Sequence, residues 1–408
     1  MMRRRFPRIE KDGKKTPDDN TIMKYTQFAV NILMICVALI ATRTALGDEP
    51  VVTDLMLQRS LVSAGDPARI QAVLAKARRG EPICVAAIGG SITAGGENTK
   101  DPNRRYIQQL SKWFETAFAG VNVRFINAGI GATDSAYGAL RVKRDVLDRH
   151  PDLVVVEYAV NDSATLPGQR DSYEGVLRQL LSSSRDLAVI GLFFMHKDGK
   201  SAQPIQVELG RHYGLPMISF TDAMWPEFQS GRLKWEDFYD DVVHPSNEGH
   251  DVASELLGKF LDDSLAKLRK LSQPLPEVAN LPPPLISGTY ERCFLFRGED
   301  FKPVTVTGWT HSNPNHWECS PAGGILEFEL PGQDLYLGLS VPPAAKNIEI
   351  GVDGAQPVSV AKLYKIAAGL PAGLHKVKLI IQPYPASGDA SKDSVKLWWG
   401  GSAGIGAP

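Results

Sequence analysis

The stretch CVAAIGGSITAGG, from Cys84 to Gly96, contains the residue that is best placed for chemistry. An apolar run ends at two glycines, and Ser91 follows them directly. A serine at such a point can act as a nucleophile, the glycine-rich loop can hold a phosphate group, or the serine can cap a helix. A phosphate loop needs Lys followed by Ser or Thr where its helix starts, and Gly95-Gly96 are followed here by Glu97-Asn98. The phosphate interpretation is therefore disfavoured.

Two related glycine motifs are also missing from this stretch. The order Gly-Gly-Ser-Ile-Thr-Ala-Gly does not contain the G-x-G-x-x-G of dinucleotide-binding loops. It also lacks the G-x-S-x-G turn of α/β-hydrolases, because Thr93 occupies the place of the second glycine. What remains is a serine exposed after a strand, where two glycines leave room for a substrate carbonyl. Taken alone, Ser91 would be interpreted as a helix cap, and only residues further along the chain favour a nucleophile.

A serine nucleophile needs a base, and the sequence DDVVHP supplies the best candidate in His244. Asp241 stands three residues earlier, close enough to hydrogen-bond the second ring nitrogen and to stabilise the imidazolium. Pro245 disfavours a helix at the preceding residue, so His244 is expected on a loop. Asp240 is the alternative partner, and Asp241 could also be a solvated acid of this acidic stretch. His250 falls on the next predicted helix and is interpreted as a packing or surface residue.

Attack on an ester creates an oxyanion, which needs preset hydrogen-bond donors that contribute ~3–4 kcal/mol each. The candidate donors are the backbone N–H of Ser91, a backbone N–H of the turn at Gly131 and Ala132, and the side-chain amide of Asn161. Asn161 directly precedes Asp162, so a simple turn residue is the alternative interpretation for it. Gly131 could likewise serve only a tight turn.

These candidates fall where predicted strands end. Residues 48–265 alternate short apolar runs with amphipathic segments, a pattern that predicts parallel strands joined by helical crossovers. In such a sheet, ligands bind beyond the carboxyl ends of the strands. Strand ends or loops supply polar or backbone donor groups at Ser91, at the Ile130–Thr133 turn, at Asn161-Asp162, at His196-Lys197, and at Asp241 with His244. Their convergence on one edge is the main sequence evidence for a site.

The elements that must position these residues follow from the same pattern. The predicted strands are 82–89, 121–129, 151–160, 186–195 and 216–220. The predicted helices are 66–80, 105–118, 137–150, 173–184, 205–214 and 246–271. In the first helix, Asp66 is the expected cap, Pro67 the first helical residue and Gly80 the residue past the end.

The segments GGSIT, NAGIGATDS, AVND and DVVHP, in this order, resemble the four blocks of the SGNH hydrolases, also called the GDSL-like lipase/acylhydrolase superfamily. The resemblance covers roughly residues 83–260. It implies a flavodoxin-like three-layer α/β/α fold, no metal and no cofactor. It also implies Ser91 as nucleophile and oxyanion donor, Asn161 as a further donor, and Asp241 with His244 as the rest of a triad.

The blocks depart from the family pattern at two points. Block one has Gly-Gly-Ser in place of Gly-Asp-Ser. In block two, the later glycine of the family, which donates its N–H, aligns with Ala132. Either Ala132 or the remaining glycine, Gly131, is therefore the expected donor.

The composition changes after the α/β part. Residues 272–286 are proline-rich and are interpreted as a semi-rigid linker between a catalytic domain, 48–271, and a second domain, 287–408, that ends in a short tail. Alternating segments then predict an antiparallel, jelly-roll-like β-sandwich: 325–332, 334–341, 347–354, 375–383 and 394–401. This part resembles modules found beside carbohydrate esterases. Its tryptophans could stack on sugars or belong to the core: Trp309, Trp317, Trp398 and Trp399.

Residues 1–47 are predicted to be a basic extension and a signal peptide, with Met23 as an alternative start and cleavage after Gly47. The apolar stretch Phe28–Ala41 is shorter than the ~20 residues that a membrane span needs. A secreted or periplasmic protein without a stable span is expected. Export makes a disulfide between Cys293 and Cys319 as plausible as two free thiols, whereas Cys84 is expected to be a buried small hydrophobe.

These observations predict a secreted serine esterase that removes O-acyl groups, chiefly acetyl, from a carbohydrate. Trp235 and Tyr239 precede Asp241 and could line the acyl or sugar pocket. A lipase-like esterase or acyltransferase of the same superfamily and a non-catalytic carbohydrate-binding protein are the alternatives. The net charge of −1 gives no reason to expect a nucleic-acid partner. The sequence does not indicate the oligomeric state.

Overall fold

The computed structural model describes residues 50–404, except 97–98, 164–166, 271–273, 357 and 360–364. The predicted signal peptide, 1–47, lies outside the described residues. From Val52 onward the chain forms one compact unit. Within the described ranges, the search for a helix that is both long and apolar enough to cross a membrane finds none.

The first part of the chain is built on a six-stranded sheet. Its strands are β1 (Leu61–Ser63), β2 (Ile83–Gly89), β3 (Val123–Gly129), β4 (Leu153–Glu157), β5 (Ala188–Phe193) and β6 (Met217–Ser219). Their spatial order is β1-β6-β5-β4-β2-β3, and every pair is parallel except β1 with β6. The five parallel strands therefore have the flavodoxin-like order. Strands β2, β4, β5 and β6 are buried along their whole length, as continuous apolar runs predict.

Helices cover both faces of this sheet. They are α1 (Asp54–Ser60), α2 (Ala68–Arg78), α3 (Ser91–Ala94), α4 (Tyr106–Ala117), α5 (Ser135–Asp145), α6 (Pro167–Ser183), α7 (Gln203–His212), α8 (Phe220–Ser230), α9 (Trp235–Phe238) and α10 (Asn247–Arg269). One apolar cluster packs α1, α2, α4, α8 and α10 on one face. A second cluster packs α5, α6 and α7 on the other face. The three-layer α/β/α prediction is confirmed.

The remaining strands form two antiparallel sheets. They are β7 (Cys293–Arg297), β8 (Thr305–Thr307), β9 (Trp309–Asn313), β10 (His316–Cys319), β11 (Gly324–Pro331), β12 (Asp334–Ser340), β13 (Ile348–Val352), β14 (Val358–Ser359), β15 (Lys365–Ala367), β16 (Leu374–Ile381) and β17 (Val395–Ala403), with the short helix α11 (Ala390–Asp393) before β17. One sheet has the order β15-β12-β17-β10-β9, with β7 also on β17, and the other has β14-β13-β16-β11-β8. Alternate residues of both sheets meet in one apolar core. The prediction of an antiparallel sandwich is confirmed.

The sandwich is bound tightly to the α/β part. Glu174 on α6 accepts the backbone N–H groups of Leu285, Ile286 and Ser287, at 2.5, 2.8 and 2.9 Å. The end of the proline-rich segment is thus held against α6. Tyr290 and Tyr336 hydrogen-bond each other and belong to the same buried cluster as α5 and α6.

The three cysteines within the described residues, Cys84, Cys293 and Cys319, are free and buried. The disulfide alternative for Cys293 and Cys319 is therefore wrong. Cys293 lies in the cluster shared with the α/β part, whereas Cys319 lies in the sandwich core.

Candidate active site

The site lies at the carboxyl end of β2, where the strand order reverses. β2 is flanked by β3 on one side and β4 on the other. The chain leaves β2 toward Ser91, β3 toward the turn at Gly131, and β4 toward Asn161. Because neighbouring parallel strands end at the same edge, three segments that are far apart in sequence meet there.

The two glycines before Ser91 are required by close packing. A Cβ on Gly90 would overlap the carboxamide of Asn161, and a Cβ on Gly89 would overlap the Thr93 hydroxyl. Ser91 is the first residue of α3, and Gly95, in the left-handed conformation at φ 77°, ends that helix after one turn. The sequence analysis expected these glycines to leave room for a substrate carbonyl, whereas in the structure the space beside Gly90 is occupied by the Asn161 side chain.

Ser91, His244 and Asp241 form a continuous chain of contacts. His244 Nε2 lies 2.8 Å from Ser91 Oγ, and His244 Nδ1 lies 2.7 Å from Asp241 Oδ2. A carboxylate can only accept, so the ring proton belongs on Nδ1. Nε2 is then free to accept the Ser91 hydroxyl proton.

The loop that carries His244 is organised by Asp241. Asp241 Oδ1 accepts the N–H groups of Val243 and His244, each at 2.7 Å. Partial burial alone would raise the pKa of Asp241, but these bonds and the His244 ring outweigh it and lower the pKa to about 2. Asp241 is thus a carboxylate at any ordinary pH. Asp240 donates its backbone N–H to the His244 carbonyl, and its side chain is not the imidazole partner.

Trp235 and Tyr239 do not line a pocket. Both are buried, their rings stack at 3.7 Å, and Trp235 Nε1 donates to the Asp241 carbonyl at 2.7 Å. The expectation that they contact the acyl or sugar group is wrong, because the aromatic pair instead supports the loop from inside.

The candidate oxyanion donors lie on three segments that pack near Ser91. Ser91 occupies the first position of α3, where the backbone N–H has no intrahelical acceptor. Gly131 is exposed, and its Cα region faces the Ser91 side chain. Asn161 packs on Gly90, and within the described residues its Oδ1 has no hydrogen-bond partner. Ala132 follows with a positive φ of 58°, the conformation that glycine adopts more easily.

Other residues named from the sequence lie elsewhere. His250 is buried, stacks on Tyr106, and has its pKa lowered to about 4 by burial, with Arg105 adding to the shift. His196 Nε2 lies 2.9 Å from the Val160 carbonyl. Trp309 is buried in the sandwich core, and Trp399 packs on Tyr137.

Two of the tryptophans in the sandwich lie closer to its surface. Trp317 donates its ring N–H to the Gly298 carbonyl at 2.8 Å. Trp398 is 39% exposed over His316. Sugar stacking at Trp398 stays a prediction.

Sequence reasoning missed two buried ionisable residues beside the site. Arg141 on α5 is fully buried and donates to the carbonyls of Ala128 and Gly89, at 2.6 and 3.0 Å. Glu157, the last residue of β4, is also fully buried and accepts the Thr93 hydroxyl at 3.0 Å. The sequence feature that could have identified them is an ionisable residue within an apolar pattern, in LVVVEYAV and in YGALRV.

The match to a protein family falls within the α/β part of the chain. Residues 87–252 match the profile of the GDSL-like Lipase/Acylhydrolase family. Over 171 residues, 40% of this chain and 67% of the relative, the chain is 28% identical to an uncharacterised lipoprotein of Bacillus subtilis (strain 168), YqeF.

The structural likeness extends further. The crystal structure of a two-domain esterase (CEX) active on acetylated mannans is similar with a TM-score of 0.76 and 26% identity, covering 86% of this chain and 99% of that chain. The same esterase co-crystallised with mannopentaose gives a TM-score of 0.75. The likeness therefore includes both the α/β part and antiparallel sheets. Residues 87–252 are thus similar to the GDSL-like lipase/acylhydrolase family, and the protein is a carboxylic ester hydrolase.

Proposed function

We propose that the protein is an exported serine esterase that removes O-acetyl groups from a carbohydrate. The observation that carries the proposal is the contact chain from Asp241 through His244 to the Ser91 hydroxyl, at 2.7 and 2.8 Å. A nucleophile, a base and an orienting carboxylate in this order are what ester hydrolysis requires.

In the first half of the reaction, Ser91 Oγ attacks the ester carbonyl while His244 Nε2 takes the hydroxyl proton. The oxyanion that forms is stabilised by the N–H of Ser91, a backbone N–H at Gly131 or Ala132, and the Asn161 amide. The C–O bond to the sugar then breaks, and the sugar oxygen leaves with the proton from His244. Asp241 stabilises the charged imidazole between these two transfers.

In the second half, water attacks the acetyl-serine ester. His244 takes a proton from this water and returns it to Ser91 Oγ, which releases acetate. The two halves use the same donors and the same base, so no further group is required.

The carbohydrate part of the proposal is supported by the relative that is active on acetylated mannans, whose likeness covers both parts of this chain. Export is supported by the signal-like residues 23–47 and by the lipoprotein relative.

The test is acetate release from acetylated mannan, acetylated xylan and an aryl acetate. Ser91→Ala is expected to lower kcat on every substrate that the wild type hydrolyses by at least about 10³-fold. Ser254→Ala, a serine on α10, is the matched control and should retain full activity. A Ser91→Ala protein with substantial esterase activity would show that the nucleophile is wrongly assigned. Turnover of the aryl acetate without deacetylation of either polysaccharide would reject the carbohydrate part alone.

A further inference from the structure

A carboxyl group lies directly beneath the turn that carries Ser91. Glu157 ends the central strand β4, and a Cβ built on Gly89 would lie 2.9 Å from Glu157 Oε2. The same oxygen accepts the hydroxyl of Thr93, which is two residues after Ser91 in α3. Packing does not require an acid here, because every other residue of β4 is apolar. Burying a carboxyl group costs stability, so the presence of Glu157 at this position needs an explanation.

Glu157 is connected to a second helix through Thr93. The Thr93 hydroxyl also lies 2.9 Å from the Tyr106 hydroxyl, and Tyr106 is fully buried at the start of α4. When Thr93 donates to Glu157, Tyr106 must donate to Thr93. A line of three buried groups thus fixes the first turn of α3 against β4 and α4.

The peptide group between Gly89 and Gly90, one residue before Ser91, is held on both sides. The Gly89 carbonyl accepts Arg141 Nη2 at 3.0 Å and the Ile130 N–H at 3.1 Å. On the other side, the N–H groups of Gly90 and Thr93 act on the Glu157 carboxyl and favour its ionised form. The Ser91 N–H lies between these two at the start of α3, where no carbonyl of the helix can accept it.

The surroundings of Glu157 favour its neutral form at moderate pH. Burial raises the pKa of Glu157 to about 7, against the opposing effect of the Thr93 and Gly90 donors. The titratable groups that face it are four tyrosines from several elements: Tyr106, Tyr158, Tyr173 and Tyr239. Burial raises the pKa of each, so all four are neutral. Arg141 is bound to Gly89 and Tyr158, and no ion pair with Glu157 forms within the described residues.

Resting on the nucleophile assigned above, we propose that Glu157 is a positioning residue for Ser91. Through Thr93, its neutral carboxyl group fixes the first turn of α3, so that the Ser91 hydroxyl faces His244 and the Ser91 N–H faces the oxyanion. A negative charge at this place would oppose the oxyanion, because Coulomb interactions are strong where water is excluded. The neutral form is therefore the more active one.

The first test compares wild type with Glu157→Gln, in the full chain, using an aryl acetate across pH. Glutamine keeps an acceptor for Thr93 and cannot ionise. We expect the ratio of kcat in Glu157→Gln to kcat in wild type to rise by about 10-fold as the pH passes through about 7, with KM unchanged. A ratio that does not change with pH overturns the neutral-form proposal.

The second test removes the hydrogen bond from the Thr93 hydroxyl to Glu157 and leaves the Glu157 carboxyl group in place. Thr93→Val should lower kcat by about 10-fold at constant KM, and Thr93→Ser, which keeps the hydroxyl, should restore it to within about 2-fold. Glu174→Gln is the matched control, because Glu174 is another glutamate that accepts backbone N–H groups but contacts residues 285–287 instead. It should lower the melting temperature and leave the pH dependence of kcat unchanged.

Ser91→Ala separates the two proposals. If Ser91→Ala remains active, the nucleophile assignment itself is wrong. If Ser91→Ala is inactive but Thr93→Val has the kcat of wild type, the positioning role of Glu157 is wrong and the esterase mechanism stands.

Discussion

Ala132 is a strained residue in the turn beside Ser91. Its φ of 58° lies in the left-handed region of backbone conformation. Glycine adopts this region without steric cost because it has no Cβ, whereas alanine does not. Its side chain is exposed, so no packing contact compensates. The strain keeps the backbone turn next to Ser91 in a shape for which glycine would be the natural choice.

Ala132→Gly is therefore expected to raise the free energy of unfolding by up to about 1 kcal/mol, because relief of strain exceeds the added chain entropy of glycine. Ala75→Gly is the control: Ala75 lies in α2 with ordinary helical backbone, and there glycine should lower stability by about 0.5–1 kcal/mol. Denaturant unfolding measures both. Equal destabilisation by both changes would show that the turn at Ala132 is not strained.

At the same scale, the sequence predicts the contacts among Ser91, His244 and Asp241 better than it predicts the residues packed around them. Ser91, Asp241 and His244 were found because their types are chemically distinctive and their segments follow predicted strands. Glu157 and Arg141 were missed because a charge in an apolar run has no recognisable partner in sequence. Trp235 was misinterpreted because nearness in sequence to Asp241 does not tell which face of the loop a ring occupies.

At the scale of elements, the end of strand β4 carries two buried acids that link stability to pH. Burial raises the pKa of Glu157 to about 7 and that of Asp162, which follows β4, to about 8. In the unfolded chain both acids ionise near their ordinary values of 4.5 and 3.8. Between those values and the folded values, the folded state holds protons that the unfolded state has lost. The free energy of unfolding therefore falls as the pH rises through this range.

The melting temperature should accordingly fall between about pH 6.5 and about pH 8. Below that window His250 acts in the opposite direction, because burial lowers its pKa to about 4 and the unfolded chain binds its proton up to about 6.5. Asp162→Asn and Glu157→Gln should each flatten the slope in thermal unfolding. Asp241→Asn should not, because Asp241 is ionised in both states throughout the window. An unchanged slope in the first two variants would contradict the assignment.

Helices and strands with a regular hydrophobic pattern could be predicted from the sequence, whereas elements without one could not. Every predicted strand and helix of the parallel sheet is present, because continuous apolar runs and amphipathic stripes have a clear period. Helix α8 was not predicted, since Pro226 lies inside it and interrupts the signal. Strand β1 was missed because three residues at a sheet edge show no pattern.

At the scale of the whole molecule, the sandwich and the α/β part share a buried surface. Gly175 on α6 has no room for a Cβ because Tyr290 packs directly on it, and Gly401 on β17 likewise packs on Leu140 of α5. Tyr290, Cys293, Tyr336 and Ala403 belong to the apolar cluster on that face of the first sheet. Composition predicted a semi-rigid linker between two domains, because sequence shows a change of pattern but not the contacts across it.

Removing residues 272–408 should therefore leave an insoluble protein or one without cooperative unfolding, since it exposes this cluster and leaves Glu174 without its three backbone donors. Soluble yield and a thermal unfolding curve measure the effect. A chain ending at Gly404 is the matched control and should resemble the full chain. A soluble 1–271 fragment with a sharp transition would show that the shared surface is dispensable.

The position of β17 in its sheet has a consequence for the order of events during synthesis. β17 pairs with β7, β10 and β12, yet it follows all three in the chain. None of these pairings can form until residues 395–403 have left the ribosome, at about 5–20 residues per second. Until then, β7, β10 and β12 each lack a neighbouring strand, and the contact of Gly401 on β17 with Leu140 of α5 is also missing. The sandwich therefore cannot close until its last strand has been synthesised, whereas every strand of the six-stranded sheet has been made by residue 219.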